Sequence, residues 1–119
     1  MSFDPKEFLT VSSDLKKKSD CTEAEYRTIA NRAYYAAFGY IKQNFPFINS
    51  GISAHQETID HLERYYGKKV SKMLENLFKM RKDADYKYNE EFKSFRCDFV
   101  IQDANKMIKE FENLSKRKI

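Results

Sequence analysis

Apolar residues recur at helical spacing through most of this chain. The clearest run is Tyr26, Ile29, Ala30, Ala33, Tyr34, Ala37, Phe38 and Ile41, whose steps of three or four and one keep every member on one side of a helix. Thr22 followed by Glu25 predicts a capping box at its start, and the stretch from Asn44 to Gly51, where Pro46 cannot continue a helix, ends it. The alanines leave room for a neighbouring helix to approach. Upstream, Asp4 before Pro5 predicts an N-cap and a first helical residue, with Phe8, Val11, Ser12 and Leu15 on one side. The first helix is therefore expected from about Pro5 to Lys18.

Ser53 with Gln56 predicts a second capping box and a short third helix whose face is His55, Ile59, Leu62 and Tyr66, closed by Gly67. Val70, Met73, Leu74, Leu77 and Phe78 define a fourth helix that turns away at Gly67 without a long loop. Asp83 to Glu91 has no apolar period and is expected to be a polar, tyrosine-bearing loop. A fifth helix carries Val100, Ala104, Met107, Ile108, Phe111 and Leu114 before the basic tail Lys116, Arg117 and Lys118.

Five helices without a strand candidate predict an all-α, up-and-down bundle. At 119 residues it has length for one core, so residues 1–119 are expected to be a single domain. Three Gly and two Pro leave few turn-formers for a sandwich or barrel. No apolar run reaches the roughly 18 to 20 residues that cross a bilayer, so no membrane partner is expected. Cys21 and Cys97 follow no charged-then-apolar leader, which predicts a cytoplasmic chain without a disulfide scaffold. Tyr35, Phe92, Phe95 and Phe99 lie off the main core stripes and predict a homodimer through the region of the second and fourth helices.

Charge narrows the candidate chemistry. The net charge of +4 is mild, but the segment from His61 to Lys82 sets Arg64, Lys68, Lys69, Lys72, Lys79, Arg81 and Lys82 against only Glu63 and Glu75. That surface either meets an anion or is a solvated helix face. There is no Walker A loop, no GxGxxG and no CxxC, and His55 and His61 point to different sides of their helix, so neither cofactor nor metal is expected. His55 is expected to be half-buried and hydrogen-bonded, with an acid–base role only if it reaches Arg81, and His61 is expected to face solvent. Arg81 projects from the apolar side of the fourth helix. Its guanidinium needs Asp83, Asp85, terminal carbonyls or an external anion. Arg27, Asn31 and Tyr35 form a ladder along the flank of the second helix, which either faces the end of the fourth helix, as a pocket for phosphate and a stacked base, or faces water.

The segment Arg27 to Phe38, with Asn31-Arg32-Ala33-Tyr34-Tyr35-Ala36 at its centre, and the later Arg81-Lys82-Asp83-Ala84-Asp85-Tyr86 together resemble the small prokaryotic HEPN domains over nearly the whole chain. The resemblance implies a helical bundle that dimerises around a pseudo-symmetric cleft and binds RNA or a nucleotide. Many such proteins are ribonucleases, often toxins encoded beside a minimal nucleotidyltransferase antitoxin. In the nuclease members an arginine, four to six residues and a histidine act without metal on the RNA 2′-hydroxyl and scissile phosphate. Here Arg81 supplies the arginine and Tyr86 stands at the histidine position, with Asp83 and Asp85 adding negative charge beside the expected phosphate. A phenol accepts protons poorly at neutral pH, so binding with feeble or no cleavage is implied. Arg27, Asn31, Tyr35, Lys82 and Asp85 would surround the anion, and Tyr88 falls where some members carry a tyrosine that the nucleotidyltransferase modifies. Three functions follow, in this order: a nucleic-acid-binding HEPN protein of a toxin–antitoxin or defence locus; a noncatalytic dimerisation module; and an RNase in which Tyr86 or His55 replaces the missing histidine.

Overall fold

Thr22 accepts a hydrogen bond from the backbone of Glu25 while the Glu25 carboxylate takes the Thr22 amide, so the expected capping box starts the longest apolar stripe. A computed structural model describes residues 3–45 and 53–117, which form five helices and no strand: α1 (Glu7–Lys16), α2 (Glu23–Gln43), α3 (Ala54–Tyr66), α4 (Lys68–Tyr86) and α5 (Ser94–Arg117). α2 is central, packing mainly on α1, α4 and α5 and more lightly on α3. Its Ile29, Ala30, Ala33, Tyr34, Ala36, Ala37 and Ile41 are completely buried. Small side chains on that face let three helices press close, and Leu62, Leu74, Leu77, Val100, Met107 and Phe111 close the core around them. Among the described residues no helix is long and apolar enough to cross a membrane.

Several boundaries differ from expectation. Asp4 caps a tight turn, its carboxylate taking the Lys6 amide, and three successive i to i+3 bonds lead into a helix that begins at Glu7 and ends at Lys16. Leu9 and Ser12 are the buried residues of α1, whereas Val11 is half exposed. Ser12 is tolerated in the core because its hydroxyl donates to the Ile29 carbonyl at 2.8 Å. The second capping box does not form: Ser53 has near-helical backbone angles, its hydroxyl goes to Glu57, and Gln56 donates to Asp60. Gly67 does join α3 to α4, with φ of 101° and its amide on the Glu63 carbonyl.

The main correction lies at the end of α4. The helix runs through Asp83, Ala84, Asp85 and Tyr86, so only the residues between Tyr86 and Ser94 connect to α5. Ala84 is buried on the core face and continues the stripe of Leu74 and Leu77. Phe92 is buried as well, beneath the guanidinium groups of Arg96 at 4.6 Å and Arg27 at 5.8 Å, while Phe95 and Phe99 stay exposed as an edge-to-face pair. His61 is intermediate in exposure, its Nδ1 meeting the Glu57 carbonyl at 3.0 Å on the exposed side and its ring lying beside Phe45 and Tyr65. Pro46 and Lys118 lie outside the described residues.

Candidate functional site

Each member of the α2 ladder meets the last turns of α4. Arg27 is the most heavily engaged. Its guanidinium donates to Glu23 at 2.8 and 3.0 Å and to the carbonyls of Asp83, Ala84, Lys87 and Glu90 at 3.3, 2.9, 3.1 and 2.7 Å. Asp83 and Ala84 stand in the last turn of α4 and Lys87 and Glu90 in the connection that follows it, and one cation collects all four carbonyls. Arg27 is therefore the clamp that extends α4 to Tyr86, with no donor left for a ligand.

One turn along, Asn31 donates to Asp85 Oδ2 at 2.9 Å, and the same oxygen lies 2.9 Å from Arg81 Nε. That N–H is not directed at the carboxylate, so the contact is an ion pair without a well-formed hydrogen bond, and the buried Nε remains unsatisfied. Among the described residues no other hydrogen bond reaches the Arg81 guanidinium. It is held instead over the rings of Tyr35 and Tyr86, each 5.5 Å from its central carbon, with 13% of the side chain exposed. Asp83 turns to the other side: burial pulls its carboxyl pKa up, but hydrogen bonds from Arg96 and Lys87 outweigh this and hold it below the usual value.

His55 comes to the same place from α3. Its ring is stacked between Phe38 at 4.4 Å and Phe78 at 4.9 Å and lies 6.0 Å from Tyr35, and Nδ1 meets the Tyr34 hydroxyl at 2.5 Å. Burial lowers the His55 pKa and the charge of Arg81 lowers it further, which keeps the imidazole neutral. Burial pushes the Tyr34 phenol far up, so it keeps its proton. Tyr34 is completely buried and Nδ1 is the acceptor its hydroxyl finds, so the phenol donates to Nδ1 and the imidazole proton sits on Nε2. With its one lone pair engaged, neutral His55 is a hydrogen-bond donor and not a resting general base.

Arg32 was not among the expected binding residues. Its Nε and Nη2 both donate to Asn31 Oδ1, the former at 2.8 Å, and its central carbon lies 5.0 Å from the Phe8 ring and 5.7 Å from Tyr35. Arg27, Thr28, Asn31, Arg32, Asp85 and Tyr88 line a surface groove of about 450 Å³. Lys82 and Tyr86 belong to a separate depression of about 440 Å³ with Lys79, Asp83 and Lys87, and Arg81, flanked by Tyr35 and Tyr86, lines neither. Larger depressions of about 490 Å³ between α1 and α5 and about 570 Å³ between α3 and α4 contain no arginine, histidine or cysteine. Tyr86 and Tyr88 are 64% and 76% exposed. Much of the basic surface expected from His61 to Lys82 is internally paired: Lys69 with Glu110, and Lys72 and Lys79 with Glu75. Compared with models of known protein families, with curated proteins and with solved structures, the chain gives no match.

Proposed function

We propose that this chain is a HEPN-type protein that binds RNA or a nucleotide through Arg81, belongs to a toxin–antitoxin or defence locus with a nucleotidyltransferase partner, and cleaves RNA weakly or not at all. The observation that carries the reading is the state of Arg81: a guanidinium largely withdrawn from water, oriented by Tyr35, Tyr86 and Asp85, whose N–H groups make no directed hydrogen bond among the described residues. Such a group suits the oxygens of a phosphate, and Tyr86 offers an exposed ring for a base to stack on. An up-and-down HEPN arrangement and a cytoplasmic homodimer are parts of the same reading, supported by the five-helix architecture and by the exposed pair Phe95 and Phe99.

Weak cleavage follows from proton chemistry. Transesterification needs a group that takes the 2′-hydroxyl proton near neutral pH, and the His55 lone pair is engaged by Tyr34 while Tyr86 is a phenol. The noncatalytic adaptor remains the competing reading, favoured by the Arg81–Asp85 contact, which partly neutralises the site. Binding of a labelled single-stranded RNA separates them. Salt-dependent affinity that weakens in Arg81→Ala and in Lys82→Ala supports binding. Unfolding of Arg81→Ala with wild-type affinity in the folded fraction makes Arg81 a structural residue and removes the proposal.

A further inference from the structure

Among the described residues, Arg27, Arg32, Arg81 and Arg96 are the arginines drawn partly out of solvent. Three have a counter-charge: Glu23 lies 2.8 Å from Arg27, Asp85 lies 2.9 Å from Arg81, and Asp83 lies 2.8 Å from Arg96. Arg32 has none. Among the described residues its hydrogen-bond partner is the neutral amide oxygen of Asn31. A partly buried guanidinium keeps its charge at any working pH, and without a carboxylate in direct contact it is electrostatically incomplete.

It is also held in place. Phe8 and Tyr35 flank the Arg32 guanidinium, Asn31 fixes its Nε edge, Nη1 has no hydrogen bond among the described residues, and the residue lines the groove that Arg27, Thr28, Asn31 and Asp85 also line. The amide of Asn31 links Arg32 to Asp85 and thereby to Arg81. Two guanidinium groups thus bracket one carboxylate across a single phenol ring, and the seam carries one positive charge more than it neutralises. We infer that Arg32 is a second phosphate-binding residue, taking a phosphate group of the same RNA or nucleotide that Arg81 binds. The inference rests on the reading of Arg81 as an anion-binding residue. Tyr35, whose ring lies beside both cations, spaces the two subsites.

The test uses the full chain with two probes, inorganic phosphate and a short single-stranded RNA, titrated at several salt concentrations with melting temperatures measured alongside. Arg32→Gln is expected to weaken RNA binding roughly tenfold and to lower the salt slope by about one, while inorganic phosphate binding falls in parallel. Arg32→Lys keeps the charge but loses the planar fork, and is expected to fall between Gln and wild type. Thr28→Glu leaves Arg32 in place and supplies a carboxylate one turn before it on the exposed side of α2. This variant is expected to bind RNA as poorly as Arg32→Gln while melting no lower than wild type. Unchanged affinity and salt slope in both Arg32→Gln and Thr28→Glu overturn the inference even where Arg81→Ala still weakens binding, in which case the Arg81 reading stands alone. Weakening by the Arg32 variants with Arg81→Ala at wild-type affinity supports a site at Arg32 and overturns the Arg81 reading. Binding of inorganic phosphate alone, with no RNA affinity in any variant, also overturns the inference, because the anion would then not be part of a nucleic acid.

Discussion

Replacing Arg27 by methionine keeps much of the side chain's bulk and removes the clamp at the end of α4. The four carbonyls it serves are not equal. Those of Lys87 and Glu90 are at exposed bonds where water replaces the guanidinium, and that of Asp83 also receives the Lys87 amide at 3.1 Å. Ala84 is the sensitive one: its carbonyl is partly buried, Arg27 at 2.9 Å is its donor, and the Tyr88 amide that would serve it in a continuing helix bonds to Tyr86 instead. Leaving that acceptor without its charged donor, with a smaller loss at Asp83, is worth about 3 kcal/mol, or roughly 10 °C in melting temperature for a domain of this size. Arg27→Lys retains a cation but cannot reach all the carbonyls and should recover less than half of the loss. Thermal melting by circular dichroism measures the first quantity, and hydrogen exchange at Lys87 and Phe92 measures the local one. A melting shift below about 3 °C, or unchanged exchange at those amides, would refute the assignment of Arg27 as the residue that holds the last turn of α4.

His55 has a folded-state pKa below its unfolded value of about 6.5, because burial and then the charge of Arg81 disfavour the imidazolium. The unfolded chain therefore binds the extra proton as pH falls below that value, stability drops through the window down to the folded pKa, and urea midpoints at pH 7.5 and 5.5 should differ more in wild type than in His55→Gln. Tyr86→His restores arginine, four residues and histidine, and should raise metal-independent RNA cleavage by roughly 10² to 10⁴ in a gel assay; strong wild-type cleavage lost in Tyr86→Phe would show that the phenol serves the chemistry. Sedimentation at micromolar concentration should give a dimer that Phe99→Glu shifts toward monomer, and a monomeric wild type would remove any cleft shared between copies.

The core was readable where local signals agreed. The α2 stripe and its capping box point to the same helix, and every stripe member is buried or packed against the core. The last turn of α4 is not legible in the sequence because Asp83 to Tyr86 carries only one apolar core residue, Ala84, and what holds that turn is a guanidinium more than fifty positions earlier in the chain. Ser53 and Gln56 match a capping box by type and spacing, yet near-helical backbone angles at Ser53 turn its hydroxyl away from the helix amides. Phe92 lies off the apolar stripes in the sequence, yet it joins the core with two guanidinium groups over its ring. At the candidate site the i, i+4, i+8 spacing of Arg27, Asn31 and Tyr35 was enough to align them against α4, but their roles were not separable in sequence. Arg27 serves backbone, Asn31 orients Asp85, and Tyr35 carries the cation of Arg81 on its ring. The uncompensated charge of Arg32 appears only when each guanidinium is matched to its carboxylate in space.

The central claim is that an anion occupies the Nη donors of Arg81, its Nε being buried against Asp85, and the side-chain Nη–H resonances of the arginines, followed by ¹⁵N-edited NMR at low temperature during titration with a short single-stranded RNA, test it at the group concerned. The Arg81 Nη–H signals should move as RNA is added and their exchange with water should slow, with the same changes weakened as salt is raised. The Arg27 signal should stay where it is, because its donors are already held by Glu23 and four carbonyls. An Arg81 resonance that does not respond at RNA concentrations that shift signals elsewhere in the protein would contradict the account and leave Arg81 as the structural partner of Asp85.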